Sequence, residues 1–250
     1  MVKARAYSPS RLQVYQTCAR KYYYQYVIKV PTRRFAEQSV GISLHGALEE
    51  VQAAGGVAAT GMDGALAMLL ARWEGEGFAD AAEEAEARKR AEGLLKDYLA
   101  RFGDGPGRPV MIEQKLEGTF LGVPFLGIVD RVDELPNGTL ELIDYKSGRT
   151  REVTAPVRQQ LAIYRHLIKE KLGAYPAAVS VHHLASSERV AVALPPDEWD
   201  ATLAGAADSA RAIEHDQDYT PQVGSWCRRC DFASRCLAYK RHQRELVEAT

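Results

Sequence analysis

Residues 140–148 read LELIDYKSG, and an apolar alternation there gives way to charge. In a strand, side chains two apart share a face. Leu140, Leu142, Asp144 and Lys146 therefore point one way and Ile143 and Tyr145 the other. One face runs from apolar to acidic to basic, the signature of a strand that leaves a core and ends at a cleft. Over 122–134 the pattern repeats, with Leu126, Ile128 and Asp130 on one face. Pro136, Asn137 and Gly138 read as a turn, so 122–134 and 138–147 form a hairpin that carries Asp130 and Asp144 toward one sheet end. Further strands are predicted over 110–118, 177–184 and 188–194.

Elsewhere the period is helical. Ser8 suits an N-cap, Pro9 the first helical position, and Leu12, Tyr15, Tyr22 and Tyr26 recur at helical spacing in one opening helix. Residues 40–53 read as a second helix with His45 and Glu49 one turn apart. GGVAATGMDG (55–64) reads as a turn-rich break, 64–102 as helix interrupted near Gly75 and Gly77, and GDGPGRP (103–109) as a loop. Residues 156–172 form a helix stopping before Gly173, another helix follows PPDEW, and a cysteine-rich loop and short helix close the chain. This order predicts an α/β fold with an added helical part.

The 250 residues, 46% hydrophobic, can bury a substantial core. No segment approaches membrane-span length and no apolar run suits a signal peptide, so a soluble cytoplasmic protein without membrane contact is expected. Four cysteines in that compartment point to a metal site, catalysis or burial before disulfides. The net charge of −1 argues against a generic polyanion binder, but the charge is segregated. Residues 1–35 hold eight basic side chains and no acid, and residues 226–244 hold six against Asp231 alone. Two basic ends flank an acidic middle.

Carboxylates converging at a sheet end repel unless a cation sits between them, and hard oxygen ligands suit Mg²⁺ or Mn²⁺. Lys146 beside Asp130 and Asp144 would position a water or meet charge developing on a phosphate. The alternative is an acid–lysine ladder on the surface. Cys227, Cys230 and Cys236 form a C-x₂-C-x₅-C array, and the fourth cysteine, Cys18, lies 209 residues earlier. Four thiolates make a complete set for zinc or for an iron–sulfur cluster.

The runs GIVDRVDEL and LELIDYKSG resemble the core of the PD-(D/E)XK nuclease superfamily, in its RecB-like branch. GISLHGALEE resembles that family's G-x-x-x-H-x-x-L-E helix, QQLAIY its Q-x-x-x-Y helix, and SPSRLQVYQTCARKYYYQYV its opening helix. The motifs stand in family order from residue 8 to residue 236. One departure is Ala19, where the family's opening cysteine is usually followed by proline. The resemblance implies a restriction-endonuclease-like core, a mixed central β-sheet flanked by helices, with an added helical region and a cluster-bound C-terminal segment. It implies one nuclease domain over 1–250, with 1–35 and 226–250 joined, a helical region at 40–102 and a catalytic core at 110–194.

By the same resemblance His45, Asp130, Asp144 and the Tyr145 carbonyl hold Mg²⁺ or Mn²⁺, and Lys146, Gln160 and Tyr164 complete the catalytic set. Glu113 is read as a neighbour behind the ligands and Asp133 as solvent-facing. Cys18 with the C-terminal trio resembles the iron–sulfur subset of the branch, in which a [4Fe–4S] cluster joins the chain's ends; zinc is the alternative. That joining would merge the basic ends, with Tyr22, Tyr23, Tyr24 and Tyr26 interleaved, into one surface for phosphates and bases. The implied activity is a metal-dependent DNA nuclease, an exonuclease on single-stranded ends in repair or recombination. The alternative is a non-catalytic DNA-binding or scaffolding subunit of a helicase–nuclease or CRISPR-adaptation complex. No phosphate-loop motif is present, so unwinding would fall to a partner helicase.

Overall fold

The computed structural model describes residues 6–148 and 150–248; Lys3 and Arg5 of the N-terminal basic run lie outside them. A five-stranded mixed sheet carries helices on both faces, an α/β architecture of the restriction-endonuclease kind. Its strands β1 (Arg108–Phe120), β2 (Val123–Glu134), β3 (Leu140–Lys146), β4 (Ala178–His183) and β5 (Glu188–Ala191) lie in sequence order. β3 and β4 are parallel and every other pair is antiparallel. The parallel step needs a crossover, and helix α6 (Ala155–Leu172) supplies it.

Ahead of the sheet run α1 (Pro9–Thr17), α2 (Ala19–Tyr22), α3 (Ala36–Ala53), α4 (Val57–Ala71) and α5 (Ala81–Phe102); after it come α7 (Pro196–His215) and α8 (Leu237–Glu248). One core lies between the sheet and α6 and α7, around Phe125, Val129, Leu142, Leu161, Leu167 and Ala206. The other lies between the sheet and α3 to α5, where Ile143 and Tyr145 of β3 meet Leu44, Leu48, Leu95 and Tyr98. Leu142 and its neighbours Ile143 and Tyr145 thus separate to opposite faces as period-two alternation requires. No helix among the described residues is long and apolar enough to cross a membrane.

Three local readings are corrected. The opening helix is not continuous: Ser8 caps α1 through Arg11 N (3.2 Å), but Cys18 is extended at φ −167° and divides α1 from α2, after which Tyr23–Val27 continue as a π-helical turn. Of the four tyrosines there, Tyr22 is buried and Tyr23, Tyr24 and Tyr26 are half-buried. The expected break at 55–64 is largely the start of α4, which bends at Gly61, φ 65°. Local glycines signalled a turn; a distant acid overrides them. Asp104 accepts from Val57 N and from Ala58 N (3.0 Å), satisfying amides that a helix start leaves bare. Finally, Asp133 is buried at 1% exposure, not solvent-facing. Its carboxylate takes both Arg131 Nε and Nη2 at 2.6 Å, a bidentate pair that compensates burial of both charges.

Asp104→Ala removes the remote cap of α4. It is expected to lower unfolding free energy by about 1 kcal/mol, read as a lower urea midpoint with unchanged slope.

Candidate active site

The site forms where β2 and β3 part. Their ladder runs from Glu134↔Leu140 to Arg131↔Ile143 and stops there. Beyond it Asp130 replaces the missing backbone acceptor: its Oδ2 takes the Tyr145 N–H at 2.7 Å. Alternation also resets at this point. Phe125 and Val129 face α6, yet so does Val132, three residues on. Ile128, expected on the inward face with Asp130, is half exposed at 50%, whereas Asp130 is buried at 8%.

Glu113 lies across from Asp130. The flanking pairs Ile112↔Arg131 and Gln114↔Val129 put the two acids directly opposite each other, and Glu113 adopts φ 44°, a left-handed kink in β1. Distortion on both strands turns two carboxylates to one side. His45 completes the group: its Nδ1 lies 3.5 Å from Asp130 Oδ1 and 3.6 Å from Glu113 Oε1. Ligand atoms of His45, Glu113 and Asp130 fall within 4.8 Å of one another.

The spacing of the G-x-x-x-H run has a physical reason. A Cβ on Gly41 would come within 2.9 Å of Ser147 Oγ, so glycine lets α3 approach the end of β3. His45, four residues on, shares the helix face of Gly41 and so points at the acids. Burial disfavours the imidazolium, but hydrogen bonds and charge from Asp130 and Glu113 outweigh it, and the His45 pKa is pushed up to about 10.

Asp144 sits beside this group but faces α6. Its Oδ1 accepts from Gln160 Nε2 at 2.9 Å, and its Oδ2 lies 2.8 Å from Lys146 Nζ. That contact is ionic and off the hydrogen-bond direction, so buried Oδ2 has no directed donor. Burial first, then the Asp130 charge, push the carboxyl up to about 6 against the pull of Lys146. Gln160 Oε1 accepts from Lys146 Nζ (3.0 Å) and its Nε2 also donates to Tyr164 OH (3.1 Å). Gln160 and Tyr164 stand one turn apart on α6. The ring of Tyr164 needs Gly127, where a Cβ would lie 2.5 Å from its Cε1.

The structure thus gathers His45 and Asp130 with Glu113 in the tightest group and sets Asp144, Lys146, Gln160 and Tyr164 as a connected chain alongside. The Tyr145 amide binds Asp130, while its side chain packs in the opposite core. Glu113 is the member that motif reasoning placed behind the ligands. A signal existed: the two-residue turn Leu121-Gly122 pairs Phe120 with Val123, and counting back from it sets Glu113 against Asp130. Three carboxylates, an imidazole and an undirected buried oxygen fit a hard divalent cation.

The four cysteines line one cavity with Arg20, Lys21 and Tyr24. The Gln222 amide donates to Cys18 Sγ at 3.4 Å, tying the two ends of the chain together. Burial pushes the Cys230 thiol up, with the Cys227 and Cys18 thiols adding to the rise. Four thiols gathered in one cavity fit a cationic metal or cluster, which would hold them as thiolates.

A model of the PD-(D/E)XK nuclease superfamily matches residues 6–237. Among solved structures, a protein from Eubacterium rectale named "putative exonuclease" superposes with a TM-score of 0.55 at 10% identity, over 90% of this chain and 87% of that one. The protein SSO0001 superposes with a TM-score of 0.47 at 15% identity, over 96% and 89%. No curated protein matches the chain.

Glu113→Gln is expected to weaken Mn²⁺ binding about tenfold or more by calorimetry. His45 must lose its proton to bind a cation, and its raised pKa keeps that proton on through neutral pH. Affinity should therefore climb as pH rises from neutral toward about 10, with proton release at pH 7 that His45→Asn abolishes.

Proposed function

The chain belongs to the PD-(D/E)XK nuclease superfamily, and on that footing we propose a divalent-cation-dependent DNA nuclease of the RecB-like branch, acting from single-stranded ends. The observation that carries this reading is the Lys146–Gln160–Asp144 chain set against the His45–Glu113–Asp130 group. In this reading the whole of 1–250 is one nuclease domain. Residues 1–35 and 226–250 are its joined cysteine-bearing subregion, 40–102 its helical region and 110–194 its core.

His45, Glu113 and Asp130 would hold Mg²⁺ or Mn²⁺, with Asp144 and the Tyr145 carbonyl completing the donor set. The cation would supply a water of lowered pKa and neutralise charge on the phosphate. Lys146, its ammonium held by Gln160 Oε1, orients the attacking water and meets charge developing on the phosphate. Gln160 is fixed in turn because its amide donates to both Asp144 and Tyr164. Asp144 at a pKa of about 6 is ionised above that pH, so activity should fall as pH drops through about 6.

Cys18, Cys227, Cys230 and Cys236 would hold a [4Fe–4S] cluster that is structural. What supports this reading is that all four cysteines line one cavity, Cys18 from the opening helices and the other three from the C-terminal segment; zinc held by the same four is the alternative. The setting would be cytoplasmic, in repair or recombination, with any unwinding done by a helicase or CRISPR-adaptation partner.

Lys146→Ala should cut cleavage of end-labelled single-stranded DNA in Mn²⁺ by about 10²–10⁴-fold with the circular dichroism unchanged; retained cleavage refutes the assignment. Separately, Cys18→Ser should abolish the brown colour and the iron content of anaerobically purified protein and lower its melting temperature. Zinc in place of iron in the unsubstituted protein would sink the cluster.

A further inference from the structure

Two clefts meet at Ser147, the residue after Lys146. One, of about 1170 Å³, contains His45 and Glu113. The other, of about 680 Å³, runs away from the ligand group toward the cysteine-bearing segment. Glu37 and Ser147 line both, so the two are continuous.

Their charge differs. In the first cleft Arg72 is neutralised by Glu49 (3.2 Å) and Glu50 (2.8 Å). The second draws three arginines from three separate segments: Arg90 from α5, Arg151 from the loop after β3, and Arg229 from between Cys227 and Cys230. Arg151 has a partly exposed partner in Glu188 (3.3 Å). Among the described residues the side chains of Arg90 and Arg229 have no ion pair or hydrogen bond. Among the described lining residues Glu37 is the one acid beside them. Three guanidinium groups lining a cleft with one acid leave it net positive, and what relieves that charge is a phosphate, which each can grip through two N–H bonds. Val40 and Leu94 give the same cleft an apolar wall for a sugar or base.

We propose that this arginine-lined cleft binds the backbone phosphate next to the one being cut, so that the strand is gripped on one side of the scissile bond only. The inference rests on the nuclease reading and adds to it the side on which the substrate is held. Arg90 and Arg229 are positioning residues: they hold the strand and take no part in bond cleavage.

The test separates binding from cleavage. Binding of a fluorescein-labelled oligothymidylate is followed by anisotropy in EDTA across a salt series, for the wild type, the Arg90→Ala/Arg229→Ala double variant and an Arg211→Ala control on the remote helix α7. The double variant is expected to bind about tenfold more weakly, with a log K against log salt slope shallower by about 0.7 for each arginine removed. In Mn²⁺ its KM should rise by a similar factor while kcat stays within about twofold. Unchanged affinity and slope in the double variant, or an equal loss in the control, overturns the proposal even if the wild type cleaves. A wild type that binds with this arginine-dependent slope but never cleaves leaves the cleft standing and removes the nuclease reading.

Discussion

Three carboxylates that would repel one another are held at a single fork in the sheet, and most of the architecture follows from that constraint. Glu113, Asp130 and Asp144 come from three adjacent strands, which is the cheapest way to bring acids from distant sequence positions to one point. Without a cation the charge is balanced by His45 on one side and Lys146 on the other. Those two counter-charges arrive from opposite directions, His45 on a helix packed against one face of the sheet and Lys146 at the end of a strand braced by α6 from the other face. The pocket is thus a meeting point of both cores, and neither layer alone would build it.

The helices contribute through close approach. Gly41 admits α3 to the end of β3, and Gly127 admits the Tyr164 ring to β2. Each replaces a side chain with space, which at Gly41 brings His45 of the same helix to the acids and at Gly127 seats a ring from the facing helix. The i, i+4 relation carries both helix motifs, Gly41 to His45 and Gln160 to Tyr164, since residues four apart share a helix face. A change of one residue in either spacing would turn a functional group by about 100° and out of reach.

Much of this was legible in the sequence. Alternation in 138–147 correctly divides Leu142 from Ile143 and Tyr145, because strand period is rigid wherever both faces are buried. The resemblance of two helix motifs to the family's implied His45, Gln160 and Tyr164 as neighbours of the acids, and helical geometry, which varies little, keeps each pair on one face. What alternation misplaced was the region around Asp130, where a kink at Glu113 and the parting of two strands reset the phase. No local preference signals that reset; it arises from pairing with a third strand. The cap on α4 was hidden for the same kind of reason, as Asp104 lies 47 residues from the Val57 amide it satisfies. Asp133 read as a surface acid because its neutralising partner, two residues away, lies on the same strand face, a contact that becomes a buried pair only once α5 and its following loop cover it.

That buried pair lies directly beside the fork. Arg131 is the last residue of β2 in register with β3, and its guanidinium is fixed by both oxygens of Asp133 and by the Asp104 carbonyl at 2.6 Å. Removing either charge would leave the other buried without a partner, a cost of several kcal/mol, and the Asp104 carbonyl ties the pair to the loop after α5. Around it, His182 is kept neutral, its pKa lowered to about 3 by burial and by Arg189 and Arg131, and its Nδ1 is bound to Tyr98 OH at 2.7 Å. Beyond Arg131 the next residue leaves the ladder, and the Tyr145 amide takes the Asp130 carboxylate instead of a carbonyl. A polar network buried on the face of the sheet away from α6 thus adjoins the point where the two strands part, and apolar packing covers both faces of the strands around it.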